Sequence, residues 1–339
     1  MQKVIAESLS SDLVPTHDET GRGGAVEYGM PSHYRLRLGT RGSALALWQA
    51  RYVSEQVTAR FPHIEIETVV IKTAGDVRQD VPLSEVAGTG VFVKEIESAL
   101  VEERIDFAVH SAKDLPSTDT PGLILAAFCE RGDPRDALIA PKHGTFAALP
   151  EGATVATGAA RRRAQLLAVR PDLKFVEIRG NVDTRLAKLE RGDADALVLA
   201  VAGLSRLGRQ SVITETLEPE TCLPQVGQAC VAVQCRSSDA EIIALLAESC
   251  DHRTTRREVT CERRFLSLLG GGCSAPVAAH AISSDRFLYL FALAATPDGK
   301  QIVRTRSGST LDNVVGVAEG AYRALLEQGA EGLLSNAVT

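Results

Sequence analysis

Residues 268–276 read LLGGGCSAP, placing the thiol of Cys273 directly behind three glycines and shortly before Pro276. A glycine run is costly to order, because each glycine loses more backbone freedom than any other residue. Something must compensate: a tight turn, or a bulky group that needs the space beside the sulfur. Residues 110–116, HSAKDLP, put His110, Ser111, Lys113 and Asp114 where a short strand runs onto a loop that Pro116 stops. Strand ends are where α/β folds bind ligands. Four more segments bring arginine to similar junctions. They are GTRGS (39–43) with Arg41 and Ser43, ATGAARRRAQL (156–166) with Arg161 and Arg162, IRGNVDTRL (178–186) with Arg179 and Arg185, and VAGLSRLG (201–208) with Arg206. Three arginines at a helix N-terminus oppose the macrodipole. That arrangement makes sense if anions arrive from solution. The planar guanidinium grips a carboxylate through two parallel hydrogen bonds, so the repeated design implies a ligand with several carboxylates. Phosphate recognition through a Walker loop is not supported, because no such loop occurs.

The elements that must position these residues follow from periodicity. Strands are predicted at 34–40, 64–71, 106–110, 123–129 and 136–140, with helices starting near Ser43, a good N-cap, and spanning 91–104. Leu45, Trp48 and Tyr52 mark one face of the first helix. The pattern then restarts, with strands at 153–157, 174–180 and 195–201 alternating with helices at 160–170 and 181–192. Alternation of this kind implies parallel sheets covered on both faces. The restart near residue 150 implies two similar α/β units, with a ligand in the cleft at the strand C-termini. A strand at 229–235, helices at 239–250 and 253–268, a hairpin from 287–296 and 301–306, and a helix at 312–328 make the remainder α+β. That end carries Cys273.

Composition narrows the function class. The 339 residues are 45% hydrophobic and 24% charged, which are globular values, and the net charge of −6 disfavours nucleic acid as a partner. Aromatic content of 4% leaves few stacking platforms for bases. No apolar run approaches the ~18 residues of a membrane span. Lysine occurs eight times among 37 basic residues, leaving 29 arginines. The seven cysteines (129, 222, 230, 235, 250, 261 and 273) are scattered without a CxxC pair, which argues against a disulfide framework or zinc site and for a reducing cytoplasm. The histidines form no HxxxH or HExxH, and no metal is expected. Residues 1–33 are polar and acidic, with no apolar h-region, and read as a disordered tail; translation beginning at Met30 is compatible with that reading.

The segments RLGTRGSALALWQA, VFVKEIESAL, HSAKDLP, CERGDPRDA, RGNVDTRLAKL, LAVAGLSRLG, LPQVGQ and GGCSAP follow one another in this order. Through them, residues 34–330 resemble the porphobilinogen deaminase, or hydroxymethylbilane synthase, family. The resemblance implies two periplasmic-binding-protein-like α/β domains and a small α+β domain. The first would comprise 34–130 and 227–248, the second 131–226, and the third 249–339, behind a tail at 1–33. It implies a transferase that deaminates four porphobilinogen molecules and joins them head to tail, releasing hydroxymethylbilane. It also implies a covalent dipyrromethane cofactor on Cys273, which explains the glycines: a bulky polycarboxylate could lie against the backbone. By motif match, Asp114 is the catalytic carboxylate. Ser111, Lys113, Arg161, Arg162 and Arg185 hold the cofactor, and Arg41, Ser43, Arg179 and Arg206 serve the substrate and growing chain. Loss of ammonia leaves a cationic azafulvene, and a fixed carboxylate suits that charge. A cytoplasmic monomer with no membrane or nucleic-acid partner is expected. The sequence departs from the family at Thr89, Gly158, Ala159, Ala160, Ala229 and Gly270. The alternative is a non-catalytic polycarboxylate binder on the same bilobal fold. Cys273 and Asp114 speak against it, since binding alone needs neither.

Overall fold

The computed structural model describes residues 34–73, 75, 93–270 and 276–335. The expected tail at 1–33, Thr89 and Cys273 lie outside the described residues. Three sheets organise the described residues. The first has the order β2-β1-β3-β10-β4, formed by β1 (Tyr34–Thr40), β2 (Ile64–Val70), β3 (Phe107–Ser111), β4 (Leu123–Phe128) and β10 (Val231–Arg236). Helix α1 (Ala44–Arg60) follows β1, and α2 (Lys94–Val101) precedes β3. Ser43 caps α1 as the sequence predicts, its Oγ accepting from the Ala46 N–H at 3.3 Å.

The second sheet has the order β7-β6-β8-β5-β9, with β5 (Asp136–Ile139), β6 (Thr154–Ala156), β7 (Lys174–Val176), β8 (Ala196–Ala200) and β9 (Glu215–Leu217). Between its strands lie α3 (Ala160–Val169), α4 (Val182–Glu190) and α5 (Val201–Arg206). Val201, expected to end a strand, opens α5. Then α6 (Ala240–Cys250) and α7 (Arg253–Leu268) lead to an antiparallel sheet of β11 (Val277–Ser284), β12 (Phe287–Ala295) and β13 (Ile302–Thr310). Helix α8 (Val314–Glu327) packs on that sheet together with α7, around Phe265, Leu288, Leu290 and Leu325.

The expectation of parallel sheets needs correction. β10 runs antiparallel to β3 and β4, and β5 runs antiparallel to β8 and β9. The cause is connectivity. β5 enters the second sheet directly from the first, and β10 returns directly from the second, with no crossover helix to restore direction. Two chain segments, 129–135 and 218–230, therefore cross side by side between the sheets. They are tied by the Gly132 N–H donating to the Ala229 carbonyl at 3.2 Å. Buried Glu262 of α7 pins this crossing, accepting from Arg131 Nη1 and the Gly227 N–H at 2.7 Å and from the Ala281 N–H at 2.8 Å. Burial works against the Glu262 charge, but the Arg131 guanidinium holds its carboxyl down at about 2.

Ala229 sits at φ 69°, in the left-handed region that favours glycine. A methyl group there costs about 1–2 kcal/mol, offset by about 0.4–1 kcal/mol because glycine loosens the unfolded chain. Ala229→Gly is therefore expected to stabilise the protein by about 0.5–1 kcal/mol. The urea midpoint should rise at unchanged slope; a lowered midpoint would contradict the strain.

Candidate active site

HSAKDLP lies along the end of β3 and a single 3-10 turn, Ala112–Asp114. His110 is not delivered onto the loop. It is buried within β3, and burial pushes its imidazole down to about 4, keeping it neutral at physiological pH. Ser111 Oγ accepts from Gln49 Nε2 of α1 at 2.9 Å. Lys113 points inward, with Nζ 3.5 Å from Gln228 Oε1. The crossing segment presses on this turn: at Gly227, with φ +68°, an added Cβ would come within 3.0–3.1 Å of Ala112 and the Lys113 backbone nitrogen. The half-buried Asp114 carboxylate makes no hydrogen bond among the described residues, and it lies within electrostatic reach of Lys113 and Arg185.

Arg161 and Arg162, in the first turn of α3, are buried. Both engage Asp136, the first residue of β5, which is fully buried. Arg161 reaches Asp136 Oδ2 at 2.6 Å and Oδ1 at 3.1 Å, and Arg162 Nη2 reaches Oδ1 at 2.7 Å. Part of the anion that the arginine-rich helix start called for is thus supplied from within. Burial disfavours the Asp136 charge, yet the two guanidiniums outweigh it and hold this carboxyl far below the ordinary carboxylate range. Gln228 adds a hub, donating to Asp136 Oδ1 at 2.9 Å and accepting from Arg161 Nη2 at 3.1 Å. Helix α3 is clamped from the far side by the β12–β13 hairpin. At Gly299, φ +69°, a Cβ would lie 2.3 Å from the Ala164 carbonyl oxygen. The arginine pair is therefore set rigidly in place.

Asp136 alone does not balance this cluster. Among the described residues, Lys113, Arg161, Arg162 and Arg185 share it with the carboxylates of Asp136 and Asp114. Burial first, then Arg162 and Arg161, push Lys113 down to about 8, against the pull of Asp114. Burial first, then Arg162 and Arg179, bring Arg185 down to about 10. Arg161 Nε is buried without a hydrogen-bond partner among the described residues. Unsatisfied donors and like charges held together are the marks of an anion receptor. Arg179 lies near Arg185, its carbonyl accepting from Lys188 Nζ at 3.1 Å. Arg41 lies near His110. Arg206, in the last turn of α5, donates from Nη2 to the Ala229 carbonyl at 2.6 Å. The other six cysteines, all described, are buried. The N-cap of α3 is Ala159, which offers no side-chain cap.

Two family models cover most of the chain: the dipyrromethane cofactor-binding domain of porphobilinogen deaminase over residues 36–244, and the C-terminal domain of porphobilinogen deaminase over 256–317. The chain belongs to the porphobilinogen deaminase family. Porphobilinogen deaminase of Trichlorobacter lovleyi is 48% identical over 303 residues, spanning 89% of this chain and 96% of that protein. The Roseiflexus castenholzii protein of the same name is 45% identical over 300 residues, 88% of this chain and 98% of its own. A crystal structure of the methionine binding protein MetQ matches 70% of this chain and 96% of its own, at 14% identity and a TM-score of 0.39. For this family member the described residues form two α/β units and a smaller α+β unit, as expected. No described helix is long and apolar enough to cross a membrane.

Asp136, Gln228 and Glu262 escape a reading of sequence alone. Asp136 lies in CERGDPRDA and Gln228 in LPQVGQ, both segments that carry the resemblance. The signal for Asp136 is a charged residue at the head of an apolar strand, which becomes informative only once Arg161 and Arg162 need a counter-charge.

Proposed function

We propose that this chain deaminates porphobilinogen and joins four such units head to tail on a dipyrromethane primer, releasing hydroxymethylbilane. The observation that carries this reading is the surplus of cations among the described residues around buried Arg162 and half-buried Lys113 and Arg185, with the Asp114 carboxylate among them. The group is a polycarboxylate, and these residues fit it: among the described residues, four cations stand beside two carboxylates. Bound to the chain, the cofactor supplies the primer pyrrole. Cys273 would hold it covalently, while Lys113, Arg185 and the Arg161–Arg162 pair grip its acetates and propionates, and Ser111 orients nearby. Arg41, Ser43, Arg179 and Arg206 receive the substrate carboxylates. Asp114 faces the substrate nitrogen and stabilises the positive charge that grows there as ammonia departs. A non-catalytic binder would gain nothing from a carboxylate placed among the cations meant for its ligand.

The same reading divides the chain at 34–130 with 227–248, 131–226 and 249–339, and makes it a cytoplasmic monomer acting on a small molecule. The division of labour among the arginines is testable. Losing one charged partner of a buried pair typically costs about 2–5 kcal/mol. Arg185→Ala should sharply lower the fraction of molecules carrying the cofactor mass. Arg179→Ala should keep that mass while turnover falls. Full cofactor content in Arg185→Ala would refute the assignment.

A further inference from the structure

Arg206 differs from the other arginines of the cleft. It has no carboxylate partner among the described residues. Its polar contact is the Ala229 carbonyl, at 2.6 Å from Nη2. Burial lowers its pKa, and the groups that oppose this are Cys230, Cys129 and Tyr52, none of them a carboxylate. What faces the guanidinium is an indole: the Trp48 ring centroid lies 5.4 Å from Arg206 Cζ. Trp48 is the chain's one tryptophan. Tyr52, four residues on along α1, stacks on it with centroids 5.3 Å apart and planes 9° apart, which fixes the indole. α1 belongs with the first sheet and α5 with the second, so this contact links the two α/β units.

An aromatic ring and a carboxylate hold an arginine in different ways. A carboxylate orients the guanidinium but neutralises it and occupies its in-plane N–H donors. An aromatic face attracts the cation through its quadrupole and leaves the charge, and the edge donors, available. Asp136 orients Arg161 and Arg162 in the first way, its single charge shared between the two guanidiniums. We propose that Trp48 treats Arg206 in the second, as a positioning residue that keeps Arg206 a pre-oriented, un-neutralised receptor for a substrate carboxylate. The inference rests on the reading that Arg206 receives substrate. It adds the residue that sets how well Arg206 does so.

The test compares Trp48→Leu, Trp48→Phe, Arg206→Leu and the double variant Trp48→Leu/Arg206→Leu, each as holoenzyme with cofactor content checked by mass. Cation–π contacts of this kind are worth roughly a three- to thirty-fold change in an equilibrium. Trp48→Leu should raise KM for porphobilinogen by about tenfold with a smaller change in kcat. Trp48→Phe keeps an aromatic face and should recover most of the loss. The double variant should be no worse than Arg206→Leu alone. Arg206→Leu should also shift the fluorescence of the single tryptophan, a signal independent of turnover. An unchanged KM in Trp48→Leu, beside a raised KM in Arg206→Leu, would overturn the proposal. So would additive losses in the double variant. An unchanged KM in Arg206→Leu would instead overturn the substrate role of Arg206, on which the proposal stands.

Discussion

Asp114→Asn should lose about 10²–10³-fold in turnover, the cost of removing one preorganised electrostatic group, and keep its fold. Asparagine preserves the shape and removes only the charge. The Asp114 side chain makes no hydrogen bond among the described residues and lies at the end of a 3-10 turn, so no core contact depends on it. Its charge matters in two directions. Toward the protein, it favours the charged form of Lys113, which burial and two arginines drive down. In the proposed reaction, it stabilises the positive nitrogen that develops as ammonia leaves. Only the second requires the charge during reaction. If Asp114 merely paired with Lys113 at a partly exposed position, the loss would be under about 1 kcal/mol. Tetrapyrrole formation from porphobilinogen, with cofactor content verified by mass, separates the two. Activity within a few-fold of the unmodified sequence would contradict the catalytic role.

The largest expected effect on stability is at Asp136. Asp136→Asn leaves Arg161 and Arg162 buried without their shared counter-charge, and breaking a buried ion pair from one side costs about 3–5 kcal/mol. Gln228 and Cys222 also lose the anion that accepts from them, at 2.9 and 3.3 Å. The pH dependence follows from the depressed carboxyl. The contribution of Asp136 is fully present above its ordinary value of 3.8 and is lost only as pH falls below that. Urea unfolding at neutral pH measures the loss. A destabilisation under about 1 kcal/mol would mean that the arginines find other anions and that Asp136 is not their anchor.

The sequence speaks most clearly where a feature is local. Tyr34–Thr40 alternates and ends at a glycine turn, and Ser43 is an N-cap by residue type, so β1 and the start of α1 are legible. The direction of β5 and β10 is not, because it depends on which sheet a strand returns to rather than on its own residues. β11 escapes notice because Ala278, Ala279 and Ala281 lack the bulk that marks strands; α7 and α8 make small residues suitable there. Among the site residues, the arginine positions are visible from spacing, while their partners are not. Asp136 lies 25 residues before Arg161 and meets it only through the fold. Trp48 reads from sequence as one member of a helical face, and only the packing of α1 against α5 gives it an arginine to hold.

We propose that this protein carries its own primer, held covalently by Cys273. Intact mass, followed by peptide mapping, tests it most directly on protein expressed in a host that makes porphobilinogen. The expected mass exceeds that of the sequence by two linked pyrrole units, located on the peptide containing Cys273 and absent from Cys273→Ala. An unmodified mass, or an adduct on another residue, would contradict it.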